Sequence, residues 1–548
     1  MLRAHSIRSR LLFVIVPALV SVLLPACGAD VGRGPSAFKK GAAARMPNDG
    51  QLPRELEDPN QAITEHSQFN TATYDRIYDN PFLAVQDHPL STFSIDVDTA
   101  AYSNVRRFLN EGRLPPKDAV RVADFVNYFH YDYPQPQGED PISIQAEIAG
   151  CPWNSSHRLA RIGLQGKRIV REELPPRNLV FLIDTSGSMD CPTRLPLVQK
   201  GLALLVEQLT AQDRVAIVTY AGQAGLRLAS TPGDQKTTIM NVVNELSALG
   251  STNGGEGIIQ AYRIAQENFI TDGANRVILA TDGDFNVGVT NQGGLLRLIE
   301  EKRKSGVYLT VLGFGMHNLK DSTLEKLADK GNGHYAYIDS LAEAHKVFVE
   351  DGAALVTIAK DVKVQIEFNP RQVSAYRLIG YENRLLRPEE FNDDQRNATP
   401  MGAGHTVTAL YEIAPADTET RVRGVDPLKY QQPKGLTSAA TSGEAFTLKV
   451  RYKEPKEEIS KLLSLTVRDE GKSFDDAPSS FRFATAVAAF GMLLRESPHL
   501  GTANYAQVQE WARRASQRAA DREEFLQLVH KAEVLGPAKR RIAGRDAN

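Results

Sequence analysis

The stretch NLVFLIDTSGSMD, residues 178–190, decides the fold. Five apolar residues, Leu179–Ile183, run without a polar break and stop at Asp184. Such a run, closed by a turn-forming Thr-Ser-Gly-Ser sequence, reads as a strand buried on both faces, the kind that parallel sheets use. NRVILATDGDFN, residues 275–286, repeats the pattern, with its apolar run ending at Thr281 and Asp282. Between them, after a helical stretch, LGSTNGGEG at 249–257 offers Thr252. Ligands of an open α/β sheet sit outside the carboxyl ends of its strands. Two carboxylates (Asp184, Asp282) and three hydroxyls (Ser186, Ser188, Thr252) converging there make an all-oxygen cage. That donor set suits a hard divalent cation, Mg2+ first, with Mn2+ or Ca2+ as alternatives. A plain Asp-Ser-Gly-Ser turn capping a helix is the bland alternative, and it leaves Thr252 and Asp282 without a reason.

The order Asp-x-Ser-x-Ser, then Thr, then Asp resembles the metal-ion-dependent adhesion site of von Willebrand factor type A domains, and the resemblance covers Arg177 to about Phe348. It implies that Ser186 and Ser188 bind the cation directly, Thr252 directly or through water, and Asp282 through water. It also implies that a carboxylate from a partner completes the octahedron. All five positions match. The glycines of the Thr252 loop also invite a phosphate-cradle reading, but the loop follows a helix and no Gly-Lys-Ser/Thr completes it, so no nucleotide is expected. Gly254, Gly255 and Gly257 more simply allow close backbone approach and a helix start. Asp284 and Asn286 are read as solvated loop residues that could support the site.

Working outward, the central region alternates strands and helices over 177–350, which implies a doubly wound, Rossmann-like parallel sheet with right-handed crossovers. From about 355 the period changes to alternation, with strands at Lys363–Phe368, Ser374–Gly380, Thr406–Ile413, Phe446–Tyr452 and Leu462–Arg468. Residues 351–475 therefore read as an antiparallel β-sandwich. A helical tail follows over 476–540, in which Phe481, Val487, Phe490, Met492, Leu493 and Leu494 form an apolar face expected to be core. Residues 70–176 read as an α+β extension. Thr99 is placed to cap a helix running to about Asn110, and a second helix is expected over Asp118–Tyr128. By family resemblance this extension lends strands to the sandwich. Its Asp96-Val97-Asp98-Thr99 string is similar to the haloacid dehalogenase phosphatase motif, but Ala100 departs from it and no matching Lys and paired Asp follow, so capping and turn roles are preferred.

The chain opens with Arg3, Arg8 and Arg10 before an apolar stretch that ends Leu24-Pro25-Ala26-Cys27. Residues 1–27 read as a targeting signal. The ending resembles a bacterial lipobox with Cys27 as the lipidated residue; a plain secretory cleavage near Ala26, or an uncleaved anchor, is the alternative. Residues 28–69 lack hydrophobic period and read as a flexible tether, in which Ser36 and Lys39 match a hydrolase motif by chance. The expected location is the bacterial cell envelope, lipid-anchored. Gly28 after the cysteine favours the outer membrane, on its periplasmic or surface face. Outside the cytoplasm Cys151 and Cys191 either form a disulfide or remain two buried thiols. In order and spacing, residues 70–535 resemble the bacterial YfbK-like envelope lipoproteins.

A net charge of −2 supplies no basic footprint, so no nucleic acid is expected as partner. The reading that follows is a binding or adhesion protein whose cation grips an acidic group of a protein or an acidic glycan. The alternatives are an envelope scaffold with a purely structural metal and a metal-dependent hydrolase. Catalysis needs a base beside an activated water, and the three loops offer only Glu256, so the chain is not expected to be an enzyme.

Overall fold

The computed structural model describes residues 72–221, 223–249, 254–283, 292–315, 319–418, 429, 435–515 and 520–543. The targeting signal with Cys27, the tether, Thr252, Asp284 and Asn286 lie outside the described residues. Before the central domain come β1 (Leu83–Ala84), β2 (Leu90–Ser94), α1 (Ala100–Asn110), α2 (Val122–Asn127), β3 (Ile142–Gly150) and β4 (Arg158–Gly166). The central domain runs β5 (Arg177–Asp184), α3 (Leu195–Gln208), β6 (Arg214–Ala221), β7 (Gln223–Pro232), α4 (Lys236–Glu245), α5 (Gly254–Glu267) and β8 (Ala274–Thr281). It continues with α6 (Gln292–Lys302), β9 (Val307–Phe314), α7 (Asp321–Lys330), β10 (Tyr335–Ile338) and α8 (Leu341–His345). Then follow β11 (Thr357–Phe368), β12 (Val373–Ile379), β13 (Met401–Gly402), β14 (Thr406–Pro415), β15 (Phe446–Lys453), β16 (Lys461–Val467), α9 (Ser479–Arg495), α10 (Tyr505–Ala515) and α11 (Ala520–Ala543).

The central sheet has the order β10-β9-β8-β5-β6-β7, parallel throughout except for the antiparallel hairpin β6–β7. Successive side chains of a strand point to opposite faces. Leu179, Phe181 and Ile183 of β5 accordingly join the core beneath α3, while Val180 and Leu182 join the core beneath α5. That two-sided burial is why the run is uninterrupted. The chain leaves β5 toward β6 and β7, then returns to the other side of β5 to form β8. The switch in direction falls between β5 and β8, the strands that end at Asp184 and immediately before Asp282.

Strands from both sides of the central domain build the sandwich. One sheet is β1-β12-β14-β4-β3; the other joins β13, β11, β15 and β16, with β2 also paired to β11. Their inner faces share one core around Phe93, Ile162, Val364, Tyr411 and Leu448. The strands β1 and β13 are two residues long, too short for alternation to show. Helix α9 is apolar nearly all round and buried along most of its length, as such a helix must be. Phe481, Val487, Phe490 and Met492 lie in a helical core with α1, α2, α10 and α11, and Leu493 packs against it partly buried.

The Asp96–Thr99 string proves structural. Strand β2 stops at Ser94 because Asp96 Oδ1 accepts the Asp98 N–H (3.1 Å) and turns the chain. Asp98 Oδ1 then accepts the Tyr335 N–H (2.6 Å), tying the extension to edge strand β10. Arg384 neutralises the pair, at 2.7 Å from Asp98 and 3.3 Å from Asp96. Thr99 stands at the start of α1 but its side chain makes no cap. Asp124 of α2 serves instead, its Oδ2 accepting the Ala101 N–H at 3.1 Å. The helix expected over Asp118–Tyr128 breaks into a 3-10 turn at Lys117–Ala119 and α2, with Arg121 between them in extended conformation.

The two cysteines do not pair. Cys151 is a buried free thiol in the helical core beside Trp153, and Cys191 is a free, half-buried thiol bonded to Thr193 Oγ1 at 3.4 Å. One packs against the tail helices and the other follows the first loop at the head of the parallel sheet, so sequence spacing gave no guide to their separation. Among the described residues no helix is long and apolar enough to cross a membrane.

Candidate metal centre

The loop after β5 and the turn after β8 meet at the switch point, and their backbone explains why. Beyond β5, the Asp184 side chain folds back on its own chain, Oδ1 accepting the Ser186 N–H at 2.9 Å. This turn leads into a 3-10 turn at Gly187–Met189 and sets the Ser186 and Ser188 hydroxyls 3.0 Å apart. Asp184 Oδ2 accepts the Tyr220 hydroxyl (3.2 Å) from the end of β6 and the Thr281 hydroxyl (3.1 Å) from the end of β8. The first aspartate is therefore locked by both neighbouring strands. Thr281 Oγ1 accepts the Gly283 N–H at 3.2 Å, which shapes the turn carrying Asp282.

Asp184 and Asp282 have essentially no solvent exposure (0% and 1%), and Ser186 is buried at 3%. Gly187 is exposed and Ser188 half-buried, so the site opens on the Ser-Gly-Ser side. Burial pushes the Asp184 carboxyl up to about 6; the Ser186 hydrogen bonds oppose that and the nearby Asp282 charge adds to it. The Tyr220 hydroxyl is held well above its usual range, chiefly by burial and then by Asp184, so it stays a proton donor to that carboxylate. A buried, charge-strained carboxylate beside a second one is a place where a cation gains binding energy.

The structure thus brings Asp184, Ser186, Ser188 and Asp282 together. Thr252 lies outside the described residues; on its near flank, the Leu249 N–H donates to the Thr185 carbonyl at 2.8 Å. Among the described residues no three His, Cys, Asp or Glu side chains cluster as a metal site. This centre has only two acids and depends on hydroxyls, so the donor chemistry fits a hard, oxygen-loving dication and not zinc. Glu256, the one acid of the glycine loop, is exposed on the first turn of α5. Gly257 has a packing reason: a Cβ there would stand 2.9 Å from Leu182 Cδ1 and 3.2 Å from Tyr220 Cβ, so α5 lies directly on β5 and β6.

Three residues of the site escape sequence reasoning: Tyr220, Thr281 and Arg194. Thr281 adjoins Asp282 and Tyr220 ends a strand next to β5, which are weak signals. Arg194, at the N-cap of α3, gives none. Its Nη1 lies 2.8 Å from Asp282 Oδ2 and also donates to the Ser188 carbonyl.

The fold and this constellation define a von Willebrand factor type A domain protein, and the family model described as von Willebrand factor type A domain matches residues 178–350. Models described as von Willebrand factor and as the C-terminal part of uncharacterized protein YfbK match residues 68–161 and 353–535. The chain belongs to the YfbK family: it is 43% identical over 473 residues to uncharacterized protein YfbK of Escherichia coli (strain K12), covering 84% of this chain and 81% of that one. It is also similar to inter-alpha-trypsin inhibitor heavy chain H4 of Sus scrofa, 28% identical over 258 residues, 45% of this chain and 26% of that protein. Among solved structures, a von Willebrand factor type A protein from Catenulispora acidiphila is similar at 16% identity and a TM-score of 0.42, covering 73% of this chain and 91% of that one. A type A domain places the protein among those of interaction or adhesion type.

Proposed function

We propose that this protein is an envelope-anchored binding protein that recognises a carboxylate on its partner through a divalent cation at the switch point. The observation that carries the reading is the arrangement of Asp184, Ser186, Ser188 and Asp282: two buried carboxylates behind two hydroxyls, one of them open to solvent. These residues, with Thr252, would hold the ion, Mg2+ before Mn2+ or Ca2+. When bound, the ion supplies a concentrated positive charge that neutral hydroxyl ligands leave largely uncancelled. The protein's own groups do the orienting. Tyr220 and Thr281 fix the Asp184 carboxylate, and the Ser186 backbone fixes its other oxygen. Asp, Glu or an acidic-glycan carboxylate is the chemistry such a site selects. A lipidated Cys27 and the 28–69 tether would hold the domain off the membrane.

The test is capture from envelope extract by the full-length protein and by Asp184→Ala, in Mg2+ and in EDTA. The reading predicts a partner retained only by the intact protein in Mg2+. Equal capture by both proteins whatever the metal would reject it.

A further inference from the structure

The five-residue set leaves one charge at the site unexplained, that of Arg194. Its side chain is 12% exposed, and its guanidinium sits against the fully buried Asp282 carboxylate, 2.8 Å from Oδ2. The same Nη1 donates to the Ser188 carbonyl, so one nitrogen bridges the first and third loops. The stem is held as closely as the head. A Cβ on Gly315 would fall 2.3 Å from Arg194 Nε and 2.6 Å from Cγ, and Gly315 has φ +76, so the backbone at 315 is shaped to receive this arginine. The backbone is fixed too: the Arg194 N–H donates to the Cys191 carbonyl, and its own carbonyl accepts from Leu197 and Val198, each at 2.9 Å.

We propose that Arg194 is a resident counter-cation of the metal centre, which neutralises Asp282 without metal and competes electrostatically with the dication for it. The inference rests on the metal reading above and deepens it. Two buried carboxylates side by side repel each other and lose hydration, so without a cation the loops would be driven apart. Arg194 removes that repulsion and lets the domain fold with or without metal. The same charge then opposes the incoming ion across a crevice where screening is weak. Binding becomes reversible and dependent on free cation concentration. The opposite role, a staple that merely organises the ligands, predicts an effect of opposite sign when the side chain is removed.

The experiment is Mn2+ titration, followed by electron paramagnetic resonance, of the EDTA-stripped full-length protein and its Arg194→Gln and Arg194→Lys variants. Arg194→Gln should bind Mn2+ about tenfold tighter or more, and Arg194→Lys within about threefold of wild type. Metal-free Arg194→Gln should melt below wild type, and adding Asp282→Asn should restore the melting temperature, because the buried carboxylate that lost the guanidinium has then gone. Unchanged or weaker Mn2+ binding by Arg194→Gln, with wild type binding one ion, overturns the counter-cation and leaves the metal centre standing. Binding by neither protein overturns both. Should Arg194→Gln fail to fold, failure of Asp282→Asn to rescue it would also reject the proposal.

Discussion

Replacing Asp184 with Asn should make the metal-free protein more stable and the metal-loaded comparison less favourable. Asp184 is fully buried, and burial raises its carboxyl from the ordinary value near 4 up to about 6. An acid whose native pKa is raised binds more protons folded than unfolded between those values. Stability contributed by this group is therefore present below about pH 4 and is lost as pH rises to about 6. Two pH units at about 1.4 kcal/mol each give a penalty of about 3 kcal/mol at pH 7. Asn keeps the shape and can still accept the Ser186 N–H. Its amide disturbs the Tyr220 and Thr281 hydroxyls, so a net gain of about 1–3 kcal/mol is expected. In metal at 100 times its dissociation constant, wild type recovers about 2.7 kcal/mol that the variant cannot. Urea unfolding in EDTA and in Mg2+, at pH 7 and at pH 4, reads all of this. The advantage of Asp184→Asn should be full at pH 7 in EDTA, vanish or reverse at pH 4, where only the disturbed hydroxyl bonds remain, and be offset in Mg2+. A variant no more stable than wild type in EDTA at pH 7, or one that Mg2+ still stabilises like wild type, refutes the reasoning.

Arg384→Met leaves Asp96 and Asp98 buried with their neutralising partner gone and should cost about 3–5 kcal/mol in chemical denaturation. His334 and His405, ring centroids 6.1 Å apart, are held neutral in the fold. Burial first, then Arg276, lowers His334 to about 3; burial lowers His405 to about 4, with His130 and Arg276 adding to it against Asp351. Their stability contribution is complete above about pH 6.5 and is lost as pH falls toward 3–4. Because both rings are only half-buried, the acid loss should be about 1–3 kcal/mol, and His405→Asn should flatten that limb of a melting-temperature profile. Iodoacetamide should label Cys191 in the native protein, where Thr193 lowers its thiol, and reach Cys151 only on unfolding; labelling of neither would mean they are bonded.

Much of this fold is written in hydrophobic period. Strands β5 and β8 are readable because each apolar run ends at an aspartate, and α9 because its apolar residues recur as a face fit for a core. The proposed ligands stand out for a related reason, since short polar residues close two neighbouring buried strands at the switch point. What cannot be read is the support around them. Arg194 meets Asp282 only because α3 and β8 are brought to one end of the sheet, and nothing local marks that pairing. Tyr220 looks like any strand-end tyrosine until β6 is placed beside β5. Asp96 and Asp98 resemble catalytic acids in sequence, yet their work is to hold Tyr335 and Arg384, contacts more than two hundred residues distant. Spacing likewise leaves the pairing of Cys151 and Cys191 open, since it says nothing of where in the fold each thiol lies.

One point in space decides whether this is a metal centre, the region just beyond the ends of β5 and β8. Crystals of the protein soaked in Mn2+ and measured near the manganese absorption edge would locate any bound ion directly. A single anomalous peak is expected about 2.1 Å from the Ser186 and Ser188 hydroxyls, with Asp184 and Asp282 around it. A map with no peak there, or with the ion held by other residues, would contradict it.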